Sequence, residues 1–304
     1  MLISPHRLVQ GLASNSRNTF VVPLLSASAL EASASFFGCF LVYLQIVDKT
    51  LILISDYGNG DPAFSEVLIR LRNLLPDVFI HAQSTRPLST VNTGFWIAQI
   101  ALSGIKNTYI FSNTAPRKHQ KNAVVNNSGE RLMYAKLKNG FEIVGVNAGY
   151  NLSFIKPYIV KFCHVIAPNE GSQFRSRDKY PAPVAKMIKG DKSFIGKAES
   201  TDIIPDAPTN IIASIDGYGN IKTSIRASET DFKPGQMLTL EINMKKHVAT
   251  YTDGTFNIHE GELAFAPGSS GHENRFMEIF LRGGSAGNLF DNPIVESEIK
   301  IRTD

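Results

Sequence analysis

The chain has 304 residues, 43% of them hydrophobic and 19% charged, with a formal net charge of +4. That length has room for two domains, and the composition is that of an ordinary soluble globular protein. Lys and Arg are scattered rather than blocked, which argues against a nucleic-acid groove. Cys39 and Cys163 make neither a disulfide framework nor a metal cluster, and the His residues lack any metal-ligand spacing, so no metal is expected.

Residues 1–49 read as an N-terminal extension. Residues 18–47 carry one charge, Glu31. Arg7, Arg17 and the small residues of 32–35 hint at a targeting segment. Glu31 and a Ser-rich middle break its core, and the apolar run of 36–47 is too short to span a bilayer. With two unpaired thiols, a cytoplasmic location and no membrane partner are expected.

Residues 51–54 form a short apolar run that suits a strand buried on both faces. It ends at Ser55 and Asp56, followed by a turn with Gly58 and Gly60. Asp61 then suits a helix N-cap and Pro62 the first helical position, with Phe64, Val67, Leu68, Leu71 and Leu75 at helical spacing. Asp56 thus falls at the carboxyl end of a strand, the edge of an open α/β sheet where ligands bind. Read alone, an Asp here serves equally well as a mere helix-capping turn residue. The turn has neither G-x-G-x-x-G nor Walker A spacing.

Strand and helix signals then alternate. Residues 77–82 suit a strand. Ser89 caps a helix to about residue 103, with Val91, Phe95, Ala98 and Leu102 on one face. Residues 108–111 suit a third strand, and 113–129 are too polar for a core element. Residues 131–137 and 141–146 read as a hairpin around Asn139-Gly140, a type I′ signal. A strand lies within 160–167, and a helix over 181–188 stops at Gly190. This predicts an α/β, Rossmann-like domain over 50–190 with a mixed or parallel sheet. Residues 191–208, with Pro205 and Pro208, read as a linker. Beyond it, seven short strand candidates over 209–304 predict an all-β, barrel-like domain, and the crevice between two unlike modules is a usual ligand site.

Several stretches, in chain order, resemble one family, the S-adenosyl-L-methionine hydroxide adenosyltransferases, which also includes enzymes that attack the same substrate with chloride or fluoride. Ser55-Asp56-Tyr57-Gly58 with Asp61 resembles its T-D-x-G-x-x-D opening. Phe174-Arg175-Ser176-Arg177-Asp178, followed by Pro181-Ala182-Pro183-Val184-Ala185, is similar to its F-x-[GS]-R-D…A-P-x-A segment. Ile215-Asp216-Gly217-Tyr218-Gly219-Asn220 with Thr223 resembles its I-D-x-F-G-N-x-x-T hairpin, and Ser269-Ser270-Gly271 with Gly284-Ser285-Ala286 its C-terminal S-S-G…G-x-A pair. The coverage is residues 50–304.

The resemblance implies that Asp56 accepts hydrogen bonds from a ribose diol and that Tyr218 stacks on adenine, with Phe174 lining the same side. It gives Ser176 and Asn220 to the adenosine and Ser269 and Ser270 to the substrate carboxylate. Asp61 and Asp216 go to the ammonium or sulfonium, and Ala286 lies nearby. It implies a homotrimer with the site between subunits, no cofactor beyond the substrate itself, and displacement of L-methionine from ribose C5′ by water. A non-catalytic adenosine-binding protein of the same fold, or a halide-using relative, is the alternative. The family's water-activating segment, D-P-G-V-G-T-x-R, departs here to Ser112-Asn113-Thr114-Ala115-Pro116-Arg117-Lys118. Asn113 stands at the base position, where an amide takes no proton at neutral pH. Arg117 is at a shorter spacing and His119 is a nearby substitute. The family's T-H after the second strand is also missing, replaced by residues 83–86, and Lys222 is a charged departure.

Overall fold

The computed structural model describes residues 48–116, 130–168, 171–254 and 257–303, and the fold lies in the unit 47–304. The expectations for residues 1–47, and those for Arg117 and His119, fall outside the described residues.

The first strand, β1 (Lys49–Ser55), sends alternate side chains to two different cores. Leu51 and Leu53 join one hydrophobic cluster and Ile54 the other, all fully buried. One face is covered by α1 (Pro62–Leu74) and α4 (Pro181–Lys189). Asp61 caps α1 as expected, its Oδ1 accepting from Ala63 N at 2.8 Å, with Pro62 at the first turn. Gly190 ends α4 with φ 81°, a left-handed value that glycine adopts without cost. The opposite face is covered by α2 (Thr90–Ala101), whose N-cap Ser89 accepts from Asn92 N at 3.1 Å.

The other strands of this sheet are β2 (Val78–Ser84), β3 (Thr108–Asn113), β4 (Leu132–Leu137), β5 (Glu142–Val146), β6 (Ile159–Val165) and β7 (Ile195–Ala198). Their order is β2-β1-β3-β5-β4-β6-β7. β2, β1, β3 and β5 run parallel, and β4, β6 and β7 are antiparallel to their neighbours. The chain leaves β1 toward β2 on one side and returns to β3 on the other. The carboxyl ends of β1 and β3 therefore flank a topological switch point, where ligands enter open α/β sheets.

Three local expectations need correction. The hairpin between β4 and β5 is not type I′, because only Gly140 has positive φ (88°). The loop is one residue longer, with Leu137 N donating to Phe141 O. Asn139 binds Phe141 N and Ala101 O with its side chain instead of turning the backbone. Residues 191–208 are not simply a linker, since β7 pairs with β6 and Phe194 is fully buried. Finally, α2 is buried around most of its circumference, not on one face. At Gly94 a Cβ would come within 2.4 Å of Tyr150 O, so only glycine permits this approach.

The second module is all strand apart from α5 (Ala286–Leu289) and a single 3₁₀ turn. Its strands are β8 (Ile212–Ile215), β9 (Ile221–Arg226), β10 (Met237–Ile242), β11 (Lys245–Tyr251), β12 (Leu263–Pro267), β13 (Phe276–Leu281) and β14 (Ile299–Thr303), ordered β14-β10-β11-β12-β13-β9-β8. A bridge between Ile211 and Glu298 ties the chain before β8 to the chain before β14, so the sheet curls toward a barrel. The fold is thus α/β with a barrel-like all-β domain. α2 joins the two: Asn92 Nδ2 donates to Ala213 O at 2.9 Å, and Phe276 of β13 packs on Phe95 and Phe154. No helix among the described residues is long and apolar enough to cross a membrane.

Candidate functional site

At the switch point, Asp56 and Tyr57 leave β1 half-buried. Asp56 Oδ2 accepts from Leu88 N at 2.9 Å, across the loop that follows β2. Leu88 has φ 64°, so this contact fixes a backbone geometry that Leu rarely adopts. Tyr57 is held more firmly. Ser84 Oγ donates to its carbonyl at 2.5 Å, and Asn113 Nδ2, at the end of β3, donates to its hydroxyl at 2.9 Å. The Tyr57 hydroxyl also shares a hydrogen bond with Ser176 Oγ, 2.5 Å away in α3 (Arg175–Asp178), in which either hydroxyl can donate. The Tyr57 ring stands edge-on to Phe64 and Phe174, with centroids 5.7 and 6.0 Å away. Beneath, Thr85, Thr93 and Thr114 form a buried chain of hydroxyls spaced 3.0 and 2.8 Å, linking the ends of β2 and β3 to α2.

Four of the expected residues, Asp56, Asn113, Phe174 and Ser176, therefore converge on one edge. Tyr57, which ties Asn113 to Ser176, was absent from the expected set. Its signal was its place inside the Ser55–Gly58 motif. Asp61 lies on the same loop, with its carboxylate engaged in capping α1. Arg177 bonds Glu66 and Asp178 at 2.5 and 2.6 Å. Its guanidinium, followed by Ser172, holds the Asp178 carboxyl well below the usual range. Its carbon also lies 5.0 Å over the Phe174 ring, fixing that ring from behind.

The β module contributes a separate open cavity of about 820 Å³, lined among others by Asp216, Tyr218, Asn220, Lys222, Ser269 and Glu278. The hairpin is shaped by Asp216, whose Oδ1 accepts from Tyr218 N and Asn220 N, both at 3.0 Å. Gly219 (φ 81°) lies so close to Ser285 that a Cβ would meet its Oγ at 2.0 Å. Tyr218 is 84% exposed, presenting a bare aromatic face. Lys222 Nζ sits 3.3 Å from Asp216 Oδ2 and 3.0 Å from Glu278 Oε2. Burial opposes charge on Asp216, but the Asn220 donors and Lys222 outweigh it and hold the carboxyl below its ordinary value. Glu278 also escaped the sequence reading. It faces Lys222 only through the β9–β13 register, which a single sequence does not reveal.

Ser270 is buried and gives its carbonyl to Phe276 N at 2.8 Å, outside the cavity lining. Ala286 opens α5 and is fully buried in the β core. None of Asp56, Asp61, Asn113, Phe174 or Ser176 lines the β cavity, so the expected residues form two groups within one chain.

Comparison with protein-family models gives no match. Comparison with curated proteins gives none either. Among solved structures, the chain is similar to an uncharacterized conserved protein from Thermotoga maritima, with a TM-score of 0.66 and 16% identity over 83% of this chain and 100% of that one. It is also similar to a conserved hypothetical protein from Thermus thermophilus, with a TM-score of 0.60 and 14% identity over 84% and 100% of the two chains. At these identities the likeness is one of fold.

Proposed function

We propose that the chain hydrolyses S-adenosyl-L-methionine, displacing L-methionine from ribose C5′ with water to give adenosine. The observation that carries this reading is the half-buried Asp56 carboxylate at the switch point, beside the Tyr57–Ser176–Asn113 network and the Phe174 ring. A carboxylate can accept both hydroxyls of a ribose diol, and an aromatic wall suits a purine. The second group, with the open Tyr218 face and Ser269, complements the first when the β module of one protomer meets the α/β edge of its partner in a trimer. In the reaction the water oxygen bonds to C5′, the C5′–S bond breaks, its electron pair neutralises the sulfonium, and one water proton is lost to solvent. Alignment of water, C5′ and sulfur supplies much of such a rate, and no cofactor is required because the leaving group is already activated.

Incubation of the full chain with S-adenosyl-L-methionine is expected to yield adenosine and L-methionine in equal amounts by chromatography. No adenosine above an Asp56→Ala control would end this reading. A second reading, a binding protein without turnover, is favoured by Asn113, whose amide donates to Tyr57 and takes no proton. Saturable adenosine binding by calorimetry with no product would establish it.

Lys222 bears on the substrate's amino-acid head. Its ammonium already occupies Asp216, one of the two carboxylates expected at the substrate ammonium or sulfonium. Lys222→Met should therefore raise affinity for S-adenosyl-L-methionine relative to adenosine by about tenfold, the worth of one charge-assisted hydrogen bond. Paired titrations of both ligands measure the ratio, and an unchanged ratio would remove Asp216 from the ammonium subsite.

A further inference from the structure

We propose a second ligand site, independent of the adenosine reading, in which Arg226 and Glu229 bind a small zwitterion of the α-amino-acid class at the junction of the two modules. Arg226 ends β9 and is only 9% exposed. Its guanidinium carbon stacks 3.5 Å from the Phe276 ring centroid, and Nη1 donates to Asn274 O at 2.8 Å. Gly271, with φ 96°, leaves room for it, since a Cβ there would come within 2.9 Å of Nη1. A guanidinium carries five N–H donors in a fixed fork. Asn274 O is the sole acceptor for them among the described residues, and none of the ion pairs found among those residues includes Arg226. A buried cation whose partners are one carbonyl and one aromatic face is costly, and the structure retains it beside open space rather than packed shut.

That space is a cavity of about 180 Å³, lined among others by Ser153, Tyr158, Thr209, Ser224, Arg226 and Glu229. That space admits several waters or a small ligand of a few heavy atoms. Glu229 accepts Arg226's own backbone N–H at Oε2, 2.9 Å away, which leaves Oε1 without a protein partner among the described residues. Burial pushes the guanidinium below its ordinary value, while Tyr158 and Glu229 oppose that push. The cavity thus pairs a fork-shaped cation, suited to a carboxylate, with a carboxylate oxygen suited to an ammonium. A multiply charged anion would be repelled by Glu229, which is exposed at the mouth, and an apolar guest would leave the buried guanidinium unmet. The two opposed charges together select a small α-amino acid, of which glycine is the simplest probe.

Isothermal titration of the full chain with glycine, acetate and phosphate tests this. Glycine should bind saturably at one site per chain. Acetate, lacking the ammonium, should bind about fivefold more weakly, the worth of a partly exposed ion pair, and phosphate should give no saturable heat. Arg226→Gln should abolish the glycine signal. Glu229→Gln keeps an oxygen for the Arg226 backbone N–H and should lower glycine to the level of acetate. If the wild-type chain gives no saturable heat with glycine or acetate, water alone fills the cavity and the proposal fails. It also fails if phosphate binds more tightly than glycine, or if the glycine-to-acetate ratio survives Glu229→Gln.

Discussion

Phe276→Ala is expected to be the most destabilising single substitution at the junction between the modules, lowering the unfolding free energy by about 3–5 kcal/mol. Phe276 is 1% exposed, and its ring lies between Phe95 and Phe154, with centroids 5.2 and 5.4 Å away. Truncation removes a whole buried ring. It also strips Arg226 of the aromatic face it stacks on, leaving a buried guanidinium against a void. α2 and the Ser153–Tyr158 turn lie on the far side of that ring, so the hole cannot be filled without moving the α/β module. Against a total stability of about 5–15 kcal/mol for a typical protein, the loss is severe. Urea unfolding followed by circular dichroism measures it, with Phe276→Leu, which keeps most of the volume, losing less than half as much. An unfolding free energy for Phe276→Ala within about 1 kcal/mol of wild type would show that the junction stabilises little.

Much of this architecture was readable from local chemistry. Asp61-Pro62, Ser89 and Gly190 act where their side chains or their φ freedom require, because capping depends on a few neighbouring atoms. The readings that failed depended on distant partners. α2 showed one apolar face in the sequence, yet Asn92 and Gly94 are buried too, because Ala213 of the β module and the backbone of Tyr150 and Asn151 cover what would otherwise be a solvent face. Asn139 looked like a turn residue, but the end of α2 offers its amide a carbonyl at Ala101. At the site, Asp56 was legible from its place after β1. Tyr57 was not, because its role depends on Asn113 and Ser176, which lie 56 and 119 residues away. Arg226 belongs to no motif in the sequence, and only the packing of Phe276 beneath it reveals a buried cation.

Asp56→Asn should lower affinity for adenosine by about 10- to 100-fold and affinity for 2′-deoxyadenosine, which keeps one diol hydroxyl, by distinctly less. The expectation follows from counting acceptors. In the wild-type chain Oδ2 serves Leu88 N, and a carboxylate offers about four acceptor positions over its two oxygens, enough to take the two diol hydroxyls as well. The carboxamide keeps one acceptor oxygen, one of whose two lone pairs Leu88 takes, and replaces the other oxygen with an N–H₂ donor, so the diol no longer finds two acceptors. Losing a hydrogen bond to a charged group costs about 1.5–3 kcal/mol, which is the stated range in affinity. A ligand with one hydroxyl removed has less to lose, so the two titrations form a cycle that isolates the diol contact. A purely structural role, holding the Leu88 loop in its left-handed turn, would weaken both nucleosides equally. That outcome, or no discrimination between the two nucleosides by the wild-type chain, would detach Asp56 from the ribose.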